Sequence, residues 1–75
     1  MRPQKHSLTL RGHRTSVSLE EPFWRAFLDI AAAEGKTING LAAEIDEARG
    51  TGSGLATAMR LYVLDYYRRA APAAD

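Results

Sequence analysis

The stretch Thr15-Ser16-Val17-Ser18-Leu19 alternates polar and apolar residues, carries β-branched side chains, and is followed only by helical patterns. A strand cannot satisfy its backbone N–H and C=O groups alone. It pairs either with residues 7–11 of its own chain, as a hairpin, or with the same strand of a second chain. Ser7-Leu8-Thr9-Leu10-Arg11 also alternates, but its leucines stand at even positions, while Val17 and Leu19 stand at odd ones. In one continuous strand these two pairs would face opposite ways. The chain therefore turns or bulges near Gly12, or the first stretch lies outside the sheet. Pairing with a second copy gives an intertwined two-fold dimer whose antiparallel ribbon buries Val17 and Leu19 against the helices and projects Ser16 and Ser18 outward.

Three helices are expected after the strand. Glu20-Glu21-Pro22 opens the first: proline at the first position loses no hydrogen bond, and acids suit the positive end of the helix dipole. Ser18 and Glu21 offer a capping box as an alternative start. Phe23, Trp24, Phe27, Ile30 and Ala31 follow at helical spacing, and Gly35 supplies a left-handed stop. Thr37 is placed to cap a second helix whose apolar stripe is Ile38, Leu41, Ala42, Ile45 and Ala48. Residues 50–54, GTGSG, form a linker. The third helix covers 55–69, with Leu55, Ala58, Met59, Tyr62, Val63 and Tyr66 on one side and Leu61 and Leu64 on the other. A helix apolar on nearly all sides wants two burial partners, its own domain and a second subunit. Residues 70–75 read as a frayed tail.

Size narrows the choices further. Seventy-five residues make one domain, and a chain of that length buries only about 60% of its unfolded surface. With no cysteine, disulfides and thiolate metal sites are excluded, which leaves oligomerisation as the support. No apolar run is long enough for a membrane span, and no apolar stretch follows the basic N-terminus as in a signal peptide, so a cytoplasmic location is expected. The formal charge of +1 hides an asymmetry. Residues 1–19 hold Arg2, Lys5, Arg11 and Arg14 and no acid, whereas residues 20–75 hold six basic and nine acidic residues. A basic segment on an acidic body points to a local negative partner such as nucleic acid, or else to a solvated terminus.

Thr15-Ser16-Val17-Ser18-Leu19, the proline-opened helix and Gly35-Lys36-Thr37-Ile38-Asn39 at the second helix together resemble the ribbon-helix-helix DNA-binding proteins, the family of the Arc and Met repressors. The resemblance covers residues 14–49. KHSLTLRGHRTSVSL at 5–19, with Phe23-Trp24, is similar to a bacterial subgroup that carries an additional C-terminal helix. The fold so implied is mainly α with a short β-strand: an intertwined homodimer with a third helix, preceded over residues 1–13 by a basic arm or extra strand. The implied function is a sequence-preferring DNA-binding protein, a transcriptional regulator whose two-stranded ribbon enters the major groove.

On that reading Arg14, Ser16 and Ser18 contact base edges: arginine binds guanine through two hydrogen bonds, and serine reads less selectively. Lys36, Thr37 and the backbone N–H groups through Ile38 and Asn39 meet a phosphate at the helix N-terminus, and Arg2, Lys5 and Arg11 add phosphate contacts. Val17, Leu19, Trp24, Phe27, Ile38, Leu41, Ile45, Met59 and Tyr62 form the dimer core. Two features depart from the family pattern. Strand pairing by residues 7–11 in both subunits would make a four-stranded sheet, too wide for the groove. The third helix is not needed by a two-helix core, and serves a larger dimer core, a tetramer or a protein partner. The competing function is accordingly a protein-interaction module that uses this helix without DNA. Neither metal nor cofactor is expected: His6 and His13 have no third ligand, and the glycines at 50–54 lack the following lysine of a phosphate-binding loop. With no nucleophile–base pair, catalysis is not expected.

Overall fold

The structure, a computed structural model, describes residues 1–71. Strand β1 (Gln4–Leu10) turns into β2 (His13–Leu19), followed by helices α1 (Glu21–Ala33), α2 (Ile38–Ala48) and α3 (Leu55–Ala70). The expected tail over 70–75 lies, from residue 72 on, outside the described residues. Among the described residues no helix is long and apolar enough to cross a membrane.

Both turn residues are left-handed, Arg11 with φ +52° and Gly12 with φ +82°. Two consecutive positive φ values are what a two-residue hairpin turn of type I′ requires, because its twist matches that of the flanking strands. The strands pair antiparallel, with Leu10 opposite His13, Leu8 opposite Thr15, His6 opposite Val17 and Gln4 opposite Leu19. Each even position of β1 thus faces an odd position of β2, and the parity switch in the sequence places Leu8, Val17 and Leu19 on one side. All three are buried. Residues 4–10 are therefore an extra strand of the same chain, and Leu8, 2% exposed, fixes that strand to the core.

The helices cover this inner face. Phe27, Ile30 and Ala31 of α1, Leu41, Ala42 and Ile45 of α2, and Met59 and Val63 of α3 complete one core with the strands. Helix α3 packs against α1, α2 and β2, so it closes the core from within the chain. Burying a side chain such as Phe27 or Leu19 stabilises by roughly 1.5–3 kcal/mol each.

The helix ends follow local chemistry. After α1, the Gly35 N–H donates to Ala32 O at 3.2 Å and the Lys36 N–H to Ala31 O at 2.9 Å. With Gly35 at φ +67° this is a complete Schellman stop, and it delivers Lys36 and Thr37 to the head of α2. Thr37 Oγ1 accepts from the Gly40 N–H at 2.9 Å and caps α2. Helix α1 begins after Glu20, whose side chain makes no cap. Its carboxylate instead takes Arg60 of α3, with Nε to Oε1 at 2.8 Å and Nη2 to Oε2 at 3.2 Å. Past α2, Arg49 bonds Asp46 Oδ1 at 2.7 Å and Ser53 O at 2.7 Å, closing the glycine-rich linker on itself.

Candidate nucleic-acid interface

Alternation that turns Leu8, Val17 and Leu19 inward turns Lys5, Ser7, Thr9, Arg14, Ser16 and Ser18 outward. All six are exposed. Across the strands Lys5 lies opposite Ser18, Ser7 opposite Ser16, and Thr9 opposite Arg14. The face therefore carries two cations and four hydroxyls, with no acid and no large apolar group. Arg14 and Lys5 have no ion-pair partner among the described residues.

The hairpin has two unlike edges. Leu10 and His13 flank a two-residue turn and form a hydrogen-bonded pair, so alternation points the backbone groups of Thr9 away from β2 and those of Arg14, Ser16 and Ser18 away from β1. The β1 edge is met by α2: the Thr9 N–H donates to Asn39 Oδ1 at 3.0 Å. On the β2 edge, Arg60 Nη2 donates to Ser18 O at 3.4 Å, a long bond at one end. Among the described residues nothing bonds the outward backbone groups of Arg14 or Ser16.

The head of α2 is occupied more than its sequence suggests. Lys36 Nζ donates to Glu44 Oε1 at 2.9 Å, and this hydrogen bond holds the ammonium pKa above its ordinary value. Thr37 spends its hydroxyl on the cap, and Asn39 spends its amide oxygen on β1. Ile38 is 40% exposed. Arg11, at the hairpin tip, is ion-paired with Glu47 of α2. Arg2 precedes β1 and is exposed. Lys5 lies on the outward face itself rather than at its flank.

The residues expected to form a dimer core divide. Val17, Leu19, Phe27, Leu41, Ile45 and Met59 are buried within one chain, Trp24 and Tyr62 are half-buried, and Ile38 is exposed. Leu61, Leu64 and Tyr67 leave an apolar strip open on α3.

Two groups escaped the sequence reading. Ser7 and Thr9 share the outward face with Arg14, Ser16 and Ser18; the signal was the glycine turn, which fixes which residues lie opposite. His6 stacks on Trp24 on the inner side, with ring centroids 4.0 Å apart and planes within 8°. Its Nε2 is enclosed, makes no hydrogen bond among the described residues, and lies 3.8 Å from Glu21 Oε2. This pair supports the base of β1 against α1.

The sequence model of a family described as the ribbon-helix-helix domain matches residues 3–67. An uncharacterized protein from Bordetella pertussis Tohama I has a similar structure, with a TM-score of 0.72 and 34% sequence identity. That likeness covers 88% of this chain and 56% of the other, so the chain spans little more than half the length of its structural relative. No curated protein matches the chain.

Proposed function

This chain belongs to the ribbon-helix-helix domain family, and from that premise we propose that it is a sequence-preferring DNA-binding protein, a bacterial transcriptional regulator that docks its strand ribbon in the major groove. The family is a non-enzymatic DNA-binding fold whose members generally act as dimers. The observation that carries the reading for this chain is the outward face of the hairpin: Lys5, Arg14 and four hydroxyl side chains without an acid among them. A major groove about 12 Å wide admits a two-stranded ribbon.

Roles follow from position. Arg14 carries no ion-pair partner among the described residues and has the bidentate geometry that selects guanine; Ser16 and Ser18 beside it donate or accept. Arg2 and Lys5 contribute phosphate attraction directly. Arg11 and Lys36 do so by exchanging Glu47 and Glu44 for phosphate. The Ile38 and Asn39 N–H groups at the head of α2 add the helix-terminus contribution beside the Thr37 cap. The active species is a cytoplasmic homodimer; a tetramer is the larger alternative. Its shared core would draw on the residues of the expected dimer set that stay accessible, Ile38, Trp24 and Tyr62.

The test is selection from a random duplex pool, followed by the same selection with Arg14→Ala. The substitution should weaken the selected site by roughly 1–3 kcal/mol and relax preference at one base position. Unchanged affinity and preference would remove Arg14 from its role, and no enrichment by the parent protein would remove the function. A second reading has its own support in Leu61, Leu64 and Tyr67, an exposed apolar strip suited to a protein partner. A folded protein that binds no duplex but co-purifies with a partner lost on Leu64→Glu would favour it.

A further inference from the structure

Two of the cations beside the outward face are already held by acids of the same chain. We propose that Glu44 and Glu47 of α2 are internal competitors for phosphate: they occupy Lys36 and Arg11 in the free protein, and so restrain how tightly the chain binds DNA of any sequence. This role rests on the proposed DNA-binding function and belongs to two acids that lie outside the ribbon.

Helix α2 meets the hairpin at two points. Near its head Asn39 Oδ1 accepts from the Thr9 N–H, and near its end Glu47 pairs with Arg11 at the hairpin tip. Glu44 stands three residues before Glu47, on the same helix face. It reaches back to Lys36 at the head of the helix, with Nζ to Oε1 at 2.9 Å. The two carboxylates thus hold one cation at each end of α2. Arg2, Lys5 and Arg14 have no ion pair among the described residues. The acids therefore cover the flanking cations and leave those of the ribbon and its approach free.

Stability does not account for this placement. A helix favours acids in its first turn and cations in its last. Helix α2 does the reverse: its first turn has no acid, and its last turn holds Asp46 and Glu47 with no base. Asp46 is explained by Arg49, with which it closes the linker. Glu47 and Glu44 make pairs at the surface. The side chains of Arg11 and Glu47 are 58% and 68% exposed, those of Lys36 and Glu44 35% and 56%. Exposed pairs add little to folding and exchange readily. A phosphate oxygen accepts from guanidinium or ammonium just as a carboxylate does. What the pairs change is charge, since each cancels a cation beside the ribbon until DNA displaces the acid.

Salt dependence carries the mark of that exchange. A phosphate that meets a free cation sheds its condensed counterion. A phosphate that displaces Glu47 from Arg11 also sheds one, but the freed carboxylate gathers a counterion in turn, so the exchange is nearly neutral in salt. Removing the carboxylate raises affinity and steepens its salt dependence together.

The experiment compares the intact wild-type chain with Glu44→Gln, Glu47→Gln and Glu34→Gln by anisotropy on a mixed-sequence duplex over a salt series, with thermal melts as a folding control. Glu34, at the end of α1, has no ion pair among the described residues, so its substitution changes the net charge equally without freeing a cation. In a dimer, Glu44→Gln and Glu47→Gln should each bind about 2- to 30-fold more tightly at low salt, the worth of one exposed ion pair per subunit. Each should also steepen the slope of log K against log salt by about 2, one further phosphate per subunit. Glu34→Gln should do neither, and adding Arg11→Gln to Glu47→Gln should remove the gain. If the wild type binds and both α2 substitutions leave its affinity unchanged or lower it, the competitor role is overturned with DNA binding intact. An equal gain from Glu34→Gln overturns it as well, because net charge alone would then explain the effect. If neither the wild type nor any variant binds duplex at low salt, the DNA-binding function fails and the role falls with it.

Discussion

Thr37 and Gly40 constrain one another through the α2 cap. A Cβ at Gly40 would stand 2.7 Å from Thr37 Oγ1, the atom that caps the helix. Alanine normally gains about 1 kcal/mol over glycine inside a helix, and losing an N-cap costs about as much. Gly40→Ala should therefore leave stability nearly unchanged in the parent, yet raise it by about 1 kcal/mol in a Thr37→Ala background. Equal effects in both backgrounds, read by denaturant unfolding, would dissociate the two residues. Glu20 makes a second residue-scale case. Its hydrogen bonds to Arg60 hold the carboxyl pKa below the ordinary value of 4.5. A carboxyl depressed in the folded state adds stability that is present above 4.5 and is lost as pH falls through the folded value. The stability difference between wild type and Glu20→Gln should accordingly shrink on acidification below pH 4.5; a difference constant across that range would deny the ion pair this role. The Thr37 cap is legible in the sequence because the capped N–H lies three residues away. The Glu20–Arg60 pair is not, since 40 residues separate its members and only the packing of α3 brings them together.

At the scale of elements, the position of β1 is the decision that matters. Parity carries it: leucines at 8 and 10, Val17 and Leu19, and a glycine between require a reversal if all four face one core. The sequence leaves open whether that reversal is a hairpin or a mobile arm, because the competing partner for β2 is a second copy of the chain, which a single sequence cannot weigh. Leu8 is buried, so within the chain residues 4–10 pair with β2 as a hairpin and are not a mobile arm. Leu8→Ala should cost roughly 2–5 kcal/mol, as for a core leucine, and a melting temperature unaltered by that change would put residues 4–10 back in solvent. The outward serines of β2 were readable from alternation alone, whereas Ser7 and Thr9 enter the candidate site only once the strand opposite is known. Helix α3 was readable as a helix hungry for burial on two sides. One side is met inside the chain, on α1, α2 and β2, and Leu61, Leu64 and Tyr67 keep the other open.

The whole molecule separates its charge along the chain: every basic residue of 1–19 belongs to the hairpin or its approach, and the helical body is net acidic. Folding adds something the sequence does not reveal, because Glu47 and Glu44 bring acid to Arg11 and Lys36 and neutralise part of the basic set. Arg2, Lys5 and Arg14 remain without ion pairs among the described residues, all on the hairpin side. The electrostatic signature of binding is therefore expected to come mainly from the ribbon. The most direct measurement is equilibrium anisotropy of the purified protein on a mixed-sequence duplex over a series of salt concentrations, with light scattering giving the mass of the binding species. A dimer engaging about three phosphates per subunit should show log K falling with log salt at a slope of about −5. A folded protein whose affinity does not change with salt, or that binds no duplex at low salt, would contradict the account.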